Sequence, residues 1–404
     1  MGQQEFIQFL TDLPEDKMKS ELMNAFTVRY GASDETIVMV ASPARINIIG
    51  EHIDYNGGKV FPAAINRYLY VLLRKRPDLK IIYDDIRFPG ALEFNITETF
   101  CYRKENQYAN YLNGMLAILE KIGYEFSCGF EALFFSKLPA GGGISSSAAL
   151  EIGFGRAVAE LFGFQLDPIE LAKIGQESEH TFMNMQCGIM DQFAIVMGKT
   201  ESAMLLDTAT LEYEYVPLAL GDYRIVVMNS NKQRMLAESK YNERRSECME
   251  GLALLQEVKP IRNLCELHSA DMDIVTRTIH NERIIKRVRH CITENERVLT
   301  AVAALREGNL PKLGELLKAS HASLRYDYEV SGAELDALAD AANTHTGCLG
   351  ARMTGAGFGG CAIALVHKTA IEDFTVRVAK AYKAKTGLTP SFFACEAGNG
   401  AQRV

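Results

Sequence analysis

Leu138-Pro-Ala-Gly-Gly-Gly-Ile-Ser-Ser-Ser-Ala-Ala-Leu150 is the stretch on which the reading of the chain turns. Gly141 to Gly143 are followed by Ser145 to Ser147 and then by a helical pattern. Upstream, Gly129-Phe-Glu-Ala-Leu-Phe-Phe135 is aromatic and apolar and reads as a strand. Downstream, Phe154, Val158 and Leu161 recur at three- to four-residue spacing, as one face of a helix does. Glycines between a strand and a helix let the backbone turn tightly and approach a ligand. The free N–H groups and positive dipole end of the helix then favour an anion such as phosphate. No lysine follows the glycines, so this is not a Walker loop. Three hydroxyls stand there instead, suited to phosphate oxygens or a magnesium ion. Taken alone, the run also fits a flexible turn with a serine N-cap.

The 404 residues suffice for two domains with substantial cores. A net charge of −8, without long runs of either sign, speaks against a nucleic-acid binder. The nine cysteines contain no C-x-x-C pair. Reduced, mostly buried thiols therefore fit better than a disulfide framework or a zinc site. Met1-Gly-Gln-Gln-Glu-Phe6 has no basic segment leading into an apolar core, and Phe6 stands where a myristoylation signal needs Ser or Thr. No run of 18 uncharged apolar residues occurs. The expectation is a soluble cytoplasmic protein with no membrane and no nucleic-acid partner.

Residues 1–30 read as an amphipathic lead-in. Strands are expected at 36–40, 45–49, 67–73, 80–83 and 92–96, and a helix over 108–121. Asp167-Pro-Ile-Glu170 opens a further helix with a capping box and Pro at the first position, running to about 183. Strand-like runs follow residue 193 as far as about 206, and a boundary is expected near 207–222 before a strand at 223–228. Beyond it the chain is mostly helical to about 342, and it closes with two β segments around 355–360, a helix at 370–385 and a strand at 391–395. Strands and helices mix without βαβ alternation, which predicts an α+β class in two domains, residues 1–215 and 216–404.

Three further constellations carry chemistry. Gly355, Gly357 and Gly360 match G-x-G-x-x-G formally, but the β-rich Cys361-Ala-Ile-Ala-Leu-Val366 follows where a dinucleotide site needs a helix. A tight turn that abuts another loop or shapes a pocket wall is the better account. In Arg45-Ile-Asn-Ile-Ile-Gly-Glu-His-Ile-Asp-Tyr-Asn-Gly-Gly58, five polar groups (Glu51, His52, Asp54, Tyr55, Asn56) crowd into six residues. Such density suits a polyhydroxylated ligand, whose every hydroxyl needs a partner; a solvated loop is the bland alternative. Glu179 and Asp191 are two carboxylates that could serve phosphoryl transfer, one with a serine at a metal and one at the hydroxyl; ordinary surface carboxylates of a helix are the bland alternative. His52 and His180 fit no zinc spacing and read as hydrogen-bonding groups.

Together these stretches resemble the GHMP small-molecule kinases, and within them the galactokinase branch. L-P-A-G-G-G-I-S-S-S-A-A-L-E is similar to the family's phosphate loop, and A-R-I-N-I-I-G-E-H-I-D-Y-N-G-G to its sugar signature. C-G-I-M-D-Q-F, R-M-T-G-A-G-F-G-G-C, and Asn229-Ser-Asn231 leading into Ser239-Lys-Tyr-Asn-Glu-Arg-Arg245 are similarly close, in the family's order. The resemblance implies a two-domain fold, the first like ribosomal protein S5 domain 2 and the second ferredoxin-like, with the site in the cleft between them. It implies phosphorylation of α-D-galactose at its anomeric hydroxyl by Mg-ATP, in a monomer.

Residue by residue, the resemblance puts Asp191 at the catalytic base and Arg45 beside the reacting oxygen. It puts Arg45, Glu51, His52, Asp54, Gly188, Asp191 and Tyr241 at the sugar, and Gly141, Gly143, Ser145 and Ser146 around the phosphates. Ser147 and Glu179 match the magnesium ligands. Tyr108, near Tyr111, takes the place of a tryptophan that lines the adenine pocket, in a chain with no tryptophan. Ala44 and Ile53 depart from the family's glycine and threonine. A carboxylate paired to an arginine is a weak base, so positioning is expected to outweigh proton abstraction. Two rivals remain: a kinase for a related sugar such as N-acetylgalactosamine or arabinose, and a regulatory protein that senses galactose and ATP without catalysis.

Overall fold

The computed structural model describes residues 2–138, 143–232 and 237–404, with side chains in the last range from 239. Its first layer is a six-stranded sheet in the order Gln402–Arg403, Val38–Asn47, Pro62–Lys75, Phe130–Ser136, Lys80–Asp85, Leu92–Asn95. Every pairing is antiparallel except that of Lys80–Asp85 with Phe130–Ser136. Strand alternation gives each face its own cover. Val38, Val40, Leu69 and Val71 point to the main core, where the helix Ser146–Phe162 packs. Met39, Ala41, Tyr70 and Leu72 point the other way, onto Leu10, Met18, Leu22 and Phe26 of the helices Gln3–Asp12 and Glu15–Tyr30.

A second, four-stranded antiparallel sheet has the order Cys348–Thr354, Cys361–His367, Tyr223–Asn229, Ser391–Cys395. The helices Leu310–Tyr326 and Gly332–Asn343 pack against it, and the long helix Glu282–Arg306 packs on the first of them. A three-stranded sheet, Lys59–Val60, Ser202–Asp207 and Tyr213–Pro217, completes the strand content among the described residues. The chain end crosses back to the first sheet, where Gln402 and Arg403 pair with Ala41 and Val40.

Several expectations need correction. Residues 36–40 and 45–49 are not two strands: Val38–Asn47 is one, with its register shifting between Pro43 and Ala44 because proline cannot donate to the ladder. Of the strand-like runs expected after residue 193, only Ser202–Asp207 is strand; residues 194–197 end the helix Met190–Met197, since burial of Met190, Phe193, Ala194 and Ile195 overrides the β preference of its residues. The strand Tyr213–Pro217 occupies the expected boundary, so the turn before Tyr223 falls at 218–222.

Candidate active site

The cleft holds a cavity of about 710 Å³. It is lined by Arg45, Glu51, His52, Asp54, Tyr108, Tyr111, Gly143, Ser145, Ser146, Ser147, Glu179, Gly188, Asp191 and Tyr241. The remaining residue of the sequence reading, Gly141, lies outside the described residues. Groups up to 196 positions apart in the chain thus converge on one space. Arg87, Phe88 and Ser136 also line it, with no mark in their local sequence, as do Cys187 and Ser239, which open two of the quoted motifs without a role assigned to them.

At the centre, Arg45 grips Asp191 with both branches of its guanidinium: Nε to Oδ1 at 2.7 Å and Nη2 to Oδ2 at 2.8 Å. Its Nη1 donates to the Gly143 carbonyl at 3.0 Å. Arg45 leaves the strand Val38–Asn47 near its end, and Asp191 lies in the first turn of the helix Met190–Met197, so sheet and helix meet through this pair. Burial opposes the Arg45 charge, but Asp191 and Glu51 outweigh it and raise its pKa further. The side chain of Arg45 is 3 % exposed and that of Asp191 31 %, so the aspartate is the partner that faces the cavity.

The serine run resolves its own ambiguity. Ser145 is the N-cap of the helix Ser146–Phe162, in a left-handed conformation at φ 59°, but its hydroxyl makes no cap bond. It donates to Asp191 Oδ2 instead. With Gly143 held by Arg45, and Ile144 accepting from the Arg45 backbone N–H at 3.3 Å, the helix N-terminus faces the same space as the Arg45–Asp191 pair. Donors and a dipole directed at one point are what a phosphate needs.

The polar loop after Asn47 is held mainly by the second half of the chain. Glu51 is 1 % exposed. Its Oε1 accepts from the Gly355 N–H at 2.7 Å and lies 3.0 Å from Thr354 Oγ1 and 3.3 Å from Arg352 Nη2. Its Oε2 accepts from Asn47 Nδ2 at 3.0 Å. Arg352, fully buried, also donates to the Asn47 and Ile48 carbonyls at 3.0 and 2.9 Å. From the helix Glu282–Arg306, Glu294 accepts from the Gly50 N–H at 3.0 Å and His290 Nε2 donates to the Glu51 carbonyl at 3.0 Å. Burial works against the Glu294 charge, yet Arg297, His290 and Arg352 hold its pKa at about 2. The sequence contained no local sign of Glu294 or His290, and although Arg352 opens the motif R-M-T-G-A-G-F-G-G-C, nothing there showed that it reaches the loop after Asn47, more than 300 positions away.

His52 takes a left-handed conformation at φ 63°, uncommon outside glycine. Its Nε2 lies 3.2 Å from the Ala356 carbonyl, which can only accept, so Nε2 carries the proton and Nδ1 accepts from the Tyr55 hydroxyl at 2.8 Å. Burial, then His290, lowers its pKa to about 3, so the ring is neutral. Tyr241, 8 % exposed, packs its ring 5.3 Å from that of His52. Asp54 is half-buried and lines the cavity. Burial, with Asp191 and Glu51 nearby, raises its pKa to about 7. Gly188 has no alternative: a Cβ there would stand 2.0 Å from Asp54 Oδ2.

The turn at 355–360 abuts the phosphate-facing loop. A Cβ on Gly355, at φ 82°, would lie 2.3 Å from the Gly143 carbonyl oxygen. At the other end of the cavity Tyr108 and Phe88 stack, with centroids 5.7 Å apart and planes at 17°. Tyr108 caps the helix Ala109–Lys121 that carries Tyr111, so an aromatic slot stands beside the serine helix. Ser147 and Glu179 offer hard oxygen donors to the same space. No group of three or more His, Cys, Asp or Glu suited to a metal occurs among the described residues. One hydroxyl and one carboxylate match magnesium, which takes few protein ligands and completes its shell with phosphate and water.

Comparisons with known proteins agree with this geometry. Residues 24–75 match the galactokinase galactose-binding signature, 110–199 the GHMP kinases N-terminal domain and 301–384 the GHMP kinases C-terminal domain. The chain is 45 % identical to a galactokinase of Ligilactobacillus salivarius over 95 % of its own length and 98 % of the relative's. It is 46 % identical to a galactokinase of Streptococcus suis over the same shares. The crystal structure of Lactococcus lactis galactokinase complexed with galactose superposes with a TM-score of 0.92 at 44 % identity, over 95 % of this chain and 99 % of that one. A mevalonate kinase of Methanococcus jannaschii, at 20 % identity and a TM-score of 0.63 over 91 % and 99 % of the two chains, shares the fold.

Proposed function

Since the chain belongs to the galactokinase family of the GHMP kinases, we propose that it transfers the γ-phosphoryl group of ATP to the anomeric hydroxyl of α-D-galactose, giving galactose 1-phosphate and ADP. The observation that carries this reading is the Arg45–Asp191 pair, set between the polar loop and the N-terminus of the serine helix. Glu51, His52, Asp54, Gly188 and Tyr241 surround the sugar. Gly141, Gly143, Ser145 and Ser146 hold the phosphates, and the Tyr108–Tyr111 slot takes the adenine. Ser147 and Glu179 hold magnesium, which when bound neutralises phosphate charge.

Asp191 receives the proton of the sugar hydroxyl and holds its oxygen in line, while Arg45 keeps the carboxylate in one orientation by two parallel hydrogen bonds. Little covalent chemistry is left for the protein in phosphoryl transfer, so this fixed geometry supplies most of the effect. We assign two domains, expected from sequence as 1–215 and 216–404, with the boundary at the turn 218–222 so that the strand Tyr213–Pro217 stays whole and with the chain end returning to the first, and place the protein in the cytoplasm as a monomer. No helix among the described residues is long and apolar enough to cross a membrane.

ADP release with Mg-ATP against galactose, N-acetylgalactosamine, arabinose, glucose and no sugar tests the reading. Turnover on galactose is expected. Turnover on another sugar alone would replace the substrate, and galactose binding without any turnover would mark a sensor.

A further inference from the structure

Beneath the active site, three polar side chains lie inside the core. Glu151 and Ser178 are fully buried and Gln192 is 1 % exposed. Glu151 Oε1 and Oε2, Ser178 Oγ and Gln192 Oε1 are all shielded from solvent, and none closes a hydrogen bond of ordinary geometry. Ser178 and Gln192 nonetheless lie near enough to Glu151 to act on its carboxyl, as does Glu179. A carboxyl group between packed helices is expensive, and an apolar side chain of similar volume would fill the place at less cost. The cluster therefore calls for a role other than stability.

Its placement suggests one. Glu151 follows Ser147 by four residues on the helix Ser146–Phe162, so the two share a face. Ser178 precedes Glu179 on the helix Pro168–Thr181, and Gln192 follows Asp191 on the helix Met190–Met197. Each of the three helices thus carries one group of the cluster next to, or one turn from, one group that lines the cavity. The three helices pack on one another directly.

We propose that Glu151, Ser178 and Gln192 form a positioning node that sets the rotation and depth of these three helices, and with them the spacing of Ser147, Glu179 and Asp191. The inference rests on the phosphoryl-transfer reading above, in which those three residues serve the metal and the sugar hydroxyl. Glu151 is a positioning residue: it is not among the residues that line the cavity. The polar loop is anchored separately, by Arg352, Glu294 and His290, so the node governs the metal and phosphate side of the site more than the sugar side.

The test compares Glu151→Gln, which keeps shape and hydrogen-bonding capacity, with Glu151→Leu, which keeps volume alone. Manganese binding in the presence of ADP, read by electron paramagnetic resonance, is measured beside turnover, galactose affinity by calorimetry and the melting temperature. Glu151→Leu is expected to weaken metal binding by about 10–100-fold, the range seen when groups behind metal ligands are removed. Turnover should fall with it, while galactose affinity stays within a few-fold and the melting temperature does not drop. Glu151→Gln is expected to stay near wild type in all four.

Metal binding in the Leu variant equal to wild type would overturn the node. So would a Gln variant as defective as Leu, which would make Glu151 a charged ligand. A uniform loss of all functions together with a lower melting temperature would reduce it to a structural group. If Glu151→Leu fails to fold, Ser178→Ala and Gln192→Leu carry the same expectations. A wild-type protein that binds no metal–nucleotide would instead refute the phosphoryl-transfer reading.

Discussion

Replacing Asp191 separates what the residue does for the fold from what it does for the reaction. Arg45 makes three hydrogen bonds through its guanidinium, two of them to Asp191. Asp191→Ala leaves an arginine that is 3 % exposed with the Gly143 carbonyl alone. Removing one partner of a buried pair costs roughly 3–5 kcal/mol. Water reaches the aspartate side of this pair, which is 31 % exposed, and screening lowers the expectation to roughly 2–3 kcal/mol. Asp191→Asn keeps one acceptor for the arginine, so its loss should be roughly 1–2 kcal/mol. Turnover should not follow that order. Neither variant supplies a carboxylate at the hydroxyl, so both should lose roughly 10²–10⁴-fold in kcat. Urea unfolding gives the first quantity and ADP release the second, with galactose calorimetry to show that the Asn variant still binds sugar. An Asn variant turning over within a few-fold of wild type would refute the assignment of Asp191 to the reaction.

Gly188→Ala drives a Cβ to 2.0 Å from Asp54 Oδ2, so KM for galactose should rise at least about tenfold, the effect of a misplaced binding group, with KM for ATP little changed; equal KM values for galactose would count against the contact. Arg352→Met strips the donors from the Asn47 and Ile48 carbonyls and removes the guanidinium paired with Glu51. Denaturation should show a loss of roughly 3–5 kcal/mol, and an unchanged midpoint would refute that role. Asp54 titrates at about 7 in the folded chain against its ordinary 3.8. The folded form therefore holds a proton that the unfolded chain releases, and this group's stabilising contribution, full below pH 4, fades as pH rises towards 7. Asp54→Asn has no such loss, so its stability relative to wild type should increase across that window; a constant difference would contradict the shift.

The parts of this protein that could be read from sequence are those whose signal is local. The glycines, the serines and the helix pattern after them lie within one short stretch, and Ser145 to Ser147 do sit at a helix N-terminus in the cavity. The same run left the Ser145 hydroxyl open between a cap and a ligand, and only its contact with Asp191, 46 positions away, separates the two. The turn at 355–360 was legible as a turn because a β segment follows it, but its partner Gly143 was not. The end of Met190–Met197 reads as strand because its Ile and Val prefer strands, while tertiary burial makes it a helix. Glu294 and His290 were not legible for another reason: what they hold are backbone groups of Gly50 and Glu51, and backbone groups leave no trace in sequence, while Arg352 opens a legible motif whose reach to Asn47 and Ile48 is tertiary. Glu151 did leave one, its four-residue spacing from Ser147, although a glutamate on a helix ordinarily reads as surface.

The central claim is that this cleft brings ATP and galactose together for direct transfer. Phosphorus-31 magnetic resonance of the protein with Mg-ATP and α-D-galactose tests it in one experiment. The γ signal of ATP should disappear as ADP and a sugar phosphomonoester coupled to the anomeric proton grow in equal amounts, with none of this when galactose is omitted. ATP left intact, or inorganic phosphate released whether or not galactose is present, would contradict it.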